Sequence, residues 1–313
     1  MTIAGVVLAA GLGSRMRPLT TRTPKPLLPL AGRSLLAHLA DRVVASGAEA
    51  LFANLHFEAD RVGAHLHELG LPIPNHTATE TRLSGPAGAL RAFGSALADF
   101  DVLLVASADV VLGDDLADLV HAHLAAETRM TFAVVERDHA RHFGVLDLDE
   151  HGHVLRAREK PDVPDHERHW ISAGVYCLHP SVVEEIPPGV VYDYARDLAP
   201  ALMAAGEAVA THRCSSYWRD IGTPRALRAA ALDAVQGRIP WLPAAPVAGD
   251  GDRRSGRIRV GAGARVADSA VLRGPVDIGA GARIGEHAWL ADTVVFDGAS
   301  VPDGQVVIGG MVA

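Results

Sequence analysis

Cysteine is almost absent from this 313-residue chain; Cys177 and Cys214 are the only two. Two thiols make neither a disulfide framework nor a zinc-ligand spacing, and they fit a reducing cytoplasm. No apolar run is long enough to cross a bilayer. The start, Met1–Gly13, is apolar but lacks a charged leader, and arginines follow at once. It reads as a buried strand rather than a signal peptide. Positive charge is short as well: 29 Lys and Arg against 37 Asp and Glu leave a formal net charge of −8. That argues against nucleic acid or an anionic membrane as a partner, so any phosphate site must be a local basic cluster. Lysine is the rarest cation, with Lys25 and Lys160 alone against 27 Arg. In a chain so biased toward Arg, a surviving Lys marks a place that needs a compact ammonium, unless it survives by chance.

Hydrophobic residues make up 49% of the chain, enough to bury a large α/β core with a smaller unit beside it. Ile3–Ala10 is a continuous apolar run, the pattern of a strand buried on both faces. Helix Leu35–Ala45, strand Ala50–Phe57, helix Ala59–Leu69, strand Val102–Ala106 and helix Leu116–Ala126 follow in turn. This rhythm predicts a Rossmann-like, mostly parallel sheet with its ligand site beyond the C-terminal strand ends. The middle is richer in strands, at Gly144–Leu148, Val154–Arg158 and Ile171–Leu178, and helices return at Asp197–Ala205 and Pro224–Ala234. Residues 1–235 are expected to form this domain, and the aperiodic stretch 236–257 a linker. From 258 to 313 a period of six appears. Apolar residues fall at Val260, Val266, Leu272, Ile278, Ile284, Leu290 and Phe296, with short ones four places after each, and the pattern stops at Pro302. Such a hexapeptide repeat predicts a short left-handed parallel β-helix.

Chemistry concentrates in a few runs. Leu8-Ala-Ala10-Gly11-Leu-Gly13-Ser14-Arg15 ends a strand in a glycine loop, and Arg17 and Pro24-Lys25-Pro26 follow. Backbone N–H groups of such a loop can approach phosphate oxygens. The glycine pattern fits neither a dinucleotide fingerprint nor a Walker loop. Asp109 ends a buried strand, where it could instead cap a helix. Glu159-Lys160-Pro161 could be a solvated surface pair. Trp218-Arg-Asp220-Ile-Gly-Thr-Pro224 holds a carboxylate that could simply pair with Arg219.

As an ordered set these runs, with Ile171-Ser172-Ala-Gly-Val-Tyr176, resemble the motifs of the sugar-1-phosphate nucleotidylyltransferases over about residues 3–232. Both lone lysines fall inside them. The resemblance implies transfer of a nucleoside monophosphate from a nucleoside triphosphate to a sugar 1-phosphate, with pyrophosphate leaving. It implies that Leu8, Ala10, Gly11, Gly13 and Ser14 bind nucleotide, that Arg15 holds the departing phosphates and that Lys25 holds the α-phosphate region. Asp109 and Asp220 would bind Mg²⁺, a hard cation suited to carboxylates and phosphate oxygens. Lys160 would hold the sugar phosphate and Glu159 the sugar hydroxyls, beside Gly144 and Ser172. The sugar phosphate is already an anionic nucleophile, so positioning and charge stabilisation rather than a general base are expected to dominate.

Glu80-Thr-Arg-Leu-Ser-Gly85-Pro-Ala-Gly88 resembles the family's base-reading loop. A carboxylate only accepts hydrogen bonds, and guanine offers two adjacent donors, so Glu80 favours GTP if it is more than a solvated loop residue. Ser172 stands where the family has Asn and is too short to bond the same hydroxyls. This leaves room for a heptose or cyclitol phosphate beside the default mannose or glucose 1-phosphate. The expected tail offers His287 alone, at a turn, so an acyltransferase tail is disfavoured and a role in homo-oligomer formation or regulation is expected. A silent regulatory subunit that binds nucleotide sugar is the competing reading, and the intact cation and carboxylate set argues against it.

Overall fold

The computed structural model describes residues 1–248 and 253–313. Residues 249–252, part of the expected linker, lie outside the described residues. The chain packs as two units: Met1–Leu12 with Leu36–Trp218, and Gly13–Leu35 with Arg219–Ala313. The line between them is not the expected one at 235, because the signature segment 13–35 and the helix after Thr223 group with the tail.

The first unit is built on one sheet. β1 (Ile3–Leu8), β2 (Ala50–Leu55), β3 (Asn75–Thr79), β4 (Val102–Ser107), β5 (Met130–Arg137), β6 (Gly144–Leu148), β7 (Val154–Glu159), β8 (His169–Leu178) and β9 (Ala210–Arg213) all join it. Its order is β7-β6-β8-β4-β1-β2-β3, with β5 pairing β8 and β9. β4, β1, β2 and β3 run parallel, while β8 is antiparallel to β4, β5 and β6. The parallel strands are the apolar runs read above, and β1, β2 and β4 are buried almost throughout. β3, β5 and β9 were not read from the sequence. β3 is half exposed and polar, so it carries no hydrophobic signal. β1 is flanked by β2 on one side and β4 on the other, so the order reverses there, and sheets of this kind bind ligands past the C-terminal strand ends at such a point. Phe132, Tyr176, Tyr194, Leu103 and Leu178 belong to the core on one face. The expected helix at Asp197–Ala205 is a π-turn, Tyr194–Leu198, running into a short α-helix, Ala199–Ala204.

In the second unit, a helix spans Pro224–Val235, with Pro at its first turn and the Thr223 hydroxyl accepting from the Ala226 N–H. Both features favour a helix start there. Its buried face, including Leu227, Ala230, Ala231 and Ala234, packs on the tail. Tail strands β10 (Arg254–Val260), β12 (Val271–Ile278), β14 (Trp289–Val295) and β16 (Val306–Ile308) stack in parallel, as do β11 (Arg265–Val266), β13 (Arg283–Ile284) and β15 (Ser300–Val301). Val260 pairs with Ile278 and Arg265 with Arg283, eighteen residues on. The next turn is one residue shorter: Ile278 pairs with Val295 and Ile284 with Val301. The inward positions therefore slip by one. Val295 and Val301 are buried, whereas the expected Phe296 is partly exposed and Ser300 exposed. Pairing continues past Pro302 to β17 (Met311–Val312), which joins β14.

Candidate active site

β1 ends at Leu8, which faces Asn54 at the end of β2 and Ser107 at the end of β4. The buried Ala9 and Ala10 follow, and a side chain on Gly11 would meet open space. Asp109 lies just past β4, half-buried. It does not cap the next helix, Leu116–Ala126, because Asp115 does so by accepting from the Ala117 N–H.

Where the sugar phosphate is expected, Gly144 and Glu159 are register partners on β6 and β7. A Cβ on Gly144 would lie 3.3 Å from Glu159 Oε2, 3.7 Å from Ser172 Cβ and 3.0 Å from Ala195 Cβ. The absence of a side chain at 144 thus lets these groups converge. Glu159 bonds Lys160 Nζ at 2.7 Å, with the lysine side chain 65% exposed. Lys160 has a left-handed backbone, φ 47°, and its N–H is fixed on the Phe143 carbonyl at 3.0 Å. A non-glycine residue in that region is strained, and such strain gathers at functional sites. The Ser172 hydroxyl is already bonded, to the Tyr176 hydroxyl at 3.1 Å and from the Gly174 N–H at 3.3 Å. Tyr176 stacks on Tyr194 with ring centres 3.9 Å apart, and burial pushes the Tyr176 phenol up. Two groups here, Trp218 and Arg137, were not among the expected site residues. Trp218 donates from its indole to the Ala173 carbonyl at 3.0 Å, packs edge-on against Phe143 and lies under the Arg137 guanidinium. The aromatic start of the Trp-x-Asp run was the available signal for it; Arg137 offered none.

In the loop expected to read the base, Glu80 is buried and its carboxylate is occupied. Oε1 accepts from Asn54 Nδ2 at 2.6 Å. Oε2 accepts from the Ser84 N–H at 2.9 Å and from the Ser84 hydroxyl. It is therefore no solvated loop residue, and its bonds run inward. Gly85, at φ 82°, sits where a Cβ would collide with the Tyr192 backbone. The Ala87 and Gly88 N–H groups donate to the Tyr192 carbonyl at 3.1 and 3.2 Å. Asn54, a polar residue ending an apolar strand, was the missed signal for this network.

The second unit gathers the remaining expected residues. Gly13 is left-handed at φ 61°, and its carbonyl accepts from the Thr20 hydroxyl at 2.7 Å. A Cβ on Gly13 would lie 3.2 Å from that of the buried Lys25. Ser14 and Arg15 form the single 3₁₀ turn that follows. A side chain on Gly222 would collide with the Asp220 carboxylate and crowd the Arg15 guanidinium, so these three converge. Arg219 bonds the buried Asp233 at 2.9 Å. No three His, Cys, Asp or Glu side chains among the described residues are grouped to hold a metal ion. Asp109 and Asp220 each offer the hard oxygen donors that Mg²⁺ takes, and a Mg²⁺ shell is ordinarily completed by water and phosphate oxygens. His287 is exposed with a left-handed backbone, in line with a turn position. No helix among the described residues is long and apolar enough to cross a membrane. Both cysteines are buried and unbridged.

Comparison with known proteins bears on the family and the fold. The chain is 34% identical over 309 residues to a mannose-1-phosphate guanylyltransferase of Mycobacterium tuberculosis, spanning 97% of this chain and 83% of the relative. It is 25% identical over 338 residues to a UTP–glucose-1-phosphate uridylyltransferase of Synechocystis, spanning 98% and 86%. The crystal structure of HddC from Yersinia pseudotuberculosis shares the fold, with a TM-score of 0.61 at 23% identity over 74% of this chain and 98% of that one. Residues 4–237 match the sequence profile of the nucleotidyl transferase family. The chain belongs to that family and is a nucleotidyltransferase enzyme.

Proposed function

We propose that the protein transfers GMP from GTP to mannose 1-phosphate or a closely related sugar 1-phosphate, releasing pyrophosphate. The observation that carries this reading is the sugar-side cluster. An exposed lysine ammonium bonds a carboxylate, and Gly144 leaves room for that carboxylate. The ammonium suits a phosphate and the carboxylate suits sugar hydroxyls. The guanylyltransferase relative that matches nearly the whole chain supports the choice of GTP.

In this mechanism Lys160 holds the sugar phosphate, whose own oxygen is the nucleophile. Glu159 orients the sugar through its hydroxyls, with Gly144 and Ser172 beside it. Lys25 neutralises the α-phosphate region and Arg15 the departing pyrophosphate, while the backbone from Leu8 to Ser14 cradles the nucleotide. Bound Mg²⁺, held by Asp109 and Asp220, would supply charge neutralisation at the phosphates. The work left to the chain is alignment and electrostatic stabilisation. The tail, read as a left-handed β-helix, is proposed to join copies of the chain. The solvent-exposed Trp289, Val306 and Ile308 on its stacked strands favour self-association.

A pyrophosphate-release assay with Mg²⁺, crossing five nucleoside triphosphates with sugar and cyclitol 1-phosphates, tests this. Release with GTP and a mannose-type phosphate is expected, and Asp220→Ala is expected to lose roughly a thousandfold or more. Full activity in that variant would remove Asp220 from the metal site. No release from any pair would overturn the function.

A further inference from the structure

A chain of buried hydrogen bonds ties the end of β1 to the loop at 80–88, and its polarity can be assigned bond by bond. The Ala9 N–H can only donate, and it meets Asn54 Oδ1 at 2.9 Å. The other end of that amide, Nδ2, must therefore face Glu80, which it does at 2.6 Å. Glu80 has to accept there. It accepts again at its other oxygen, from the Ser84 N–H at 2.9 Å and from the Ser84 hydroxyl. Asn54 is 4% and Glu80 8% exposed, so water cannot readily replace a lost partner. The backbone completes the clamp. The Glu80 N–H donates to the Leu55 carbonyl at 2.8 Å, and the Glu80 carbonyl meets His56 Nδ1 at 2.7 Å. Beyond it, the Tyr192 N–H donates to the Ser84 carbonyl at 2.8 Å.

With Asn at 54 and Glu at 80, a chain that starts and ends on backbone donors allows only one orientation of the Asn54 amide. We propose that Glu80 is a positioning residue: with Asn54 it clamps the 80–88 loop to the β1 end, and base selection does not come from its carboxylate. The inference rests on the proposed function in so far as these two segments line the nucleotide site. It departs from the expectation that Glu80 reads guanine. A carboxylate has about four acceptor positions. Three donors hold Glu80 from both sides inside the protein, so turning it to a base would abandon buried donors that nothing else satisfies.

The arrangement has one isosteric alternative. Exchanging amide and acid, as Asn54→Asp with Glu80→Gln, keeps the shape and the total charge. Asp at 54 accepts from the Ala9 N–H and from the new glutamine amide, whose oxygen accepts from Ser84. Each single substitution breaks the chain. Glu80→Gln sets its amide nitrogen against a donor whichever way it turns, either Asn54 Nδ2 or the Ser84 N–H, and flipping Asn54 to repair the first clash strands the Ala9 N–H. Asn54→Asp sets two carboxylates face to face.

The experiment is this four-protein cycle, read by thermal melting, GTP affinity by titration, and kcat/KM for GTP against the next-best triphosphate. The expected result is that Glu80→Gln lowers kcat/KM for both triphosphates alike, by roughly ten- to a hundredfold, as an unsatisfied buried donor should. The double variant is expected to return to within a few-fold of the starting protein, with melting restored. If Glu80→Gln is too unstable to assay, recovery of folding in the double variant is the expected result. A changed preference between triphosphates in Glu80→Gln, uncorrected by Asn54→Asp, would make Glu80 a base reader and overturn the proposal. Additive losses in melting and GTP affinity would overturn the clamp. A starting protein that turns over no triphosphate would defeat the proposed function alone. The melting and affinity cycle would still decide the clamp.

Discussion

Two carboxylates in the same unit, Glu80 and Glu159, have opposite surroundings. Glu80 is buried, and three donors occupy its oxygens from both sides. Glu159 is 23% exposed in its side chain and bonds Lys160, whose side chain is itself exposed. The first site is closed, with most of its hydrogen-bonding capacity spent on the protein. The second is open, with capacity left for an incoming hydroxyl. A glycine placement goes with each. Gly85 lets the backbone close onto Tyr192, whereas Gly144 keeps space clear beside Glu159 and Ser172. The lesson is that residue type does not tell a binding carboxylate from a holding one. The number of internal donors around it does. Closed sites should therefore register in stability, and open sites in turnover.

The largest expected effect sharpens the open side. Lys160→Ala should lower kcat/KM for the sugar phosphate by roughly a hundred- to a thousandfold, as loss of a preorganised electrostatic contact does. Its melting temperature should stay within about a degree, since the side chain is 65% exposed and exposed pairs contribute little to stability. A large fall in melting temperature would mean that the lysine holds structure and that the comparison is drawn wrongly.

Glu159→Gln should cost less, roughly ten- to a hundredfold, and chiefly as a raised KM for the sugar phosphate if its role is to accept hydroxyls. Set beside Glu80→Gln, the same chemical change, it makes a direct test. The Glu80 variant should melt several degrees lower and weaken every triphosphate alike. The Glu159 variant should melt normally and weaken the sugar phosphate alone. Equal melting losses in the two would break the distinction.

Much of the fold is legible in the sequence, for identifiable reasons. The parallel strands β1, β2 and β4 are buried on both faces and so are continuously apolar. The tail repeats because each turn must place the same small and apolar residues inward, although the one-residue slip that puts Val295 in place of Phe296 was not legible. Lys25 and Lys160 stood out only because the rest of the chain uses Arg. What could not be read was the partner of each polar group. Nothing local to Glu80 says that Asn54, 26 residues earlier, will consume one of its oxygens. Nor does anything near Ser172 announce that its hydroxyl is bonded to Tyr176. The grouping of segment 13–35 with the tail likewise depends on long-range packing that leaves no periodic trace.

His123 extends the comparison to a closed group far from the chemistry, with the smallest expected effect. Its ring is 4% exposed and Nδ1 meets the Thr131 hydroxyl at 2.9 Å. Burial, helped by the nearby His179, lowers its pKa to about 4. An unfolded histidine titrates near 6.5, so between those values the unfolded chain binds a proton that the folded one refuses. Stability from this group is therefore fully present above about pH 6.5 and drains away as pH falls toward 4, by about 1–2 kcal/mol at pH 5. Melting curves recorded from pH 7.5 to 5 should slope downward for the unsubstituted protein. The slope should flatten in His123→Asn, whatever that variant's absolute melting temperature, with turnover at neutral pH unaltered. An unchanged slope would mean that other groups set the acid limb. A loss of turnover at neutral pH would mean that a closed site can reach the chemistry without lying beside it, and the division between holding and binding groups would have to be redrawn around the packing of β5 and β8.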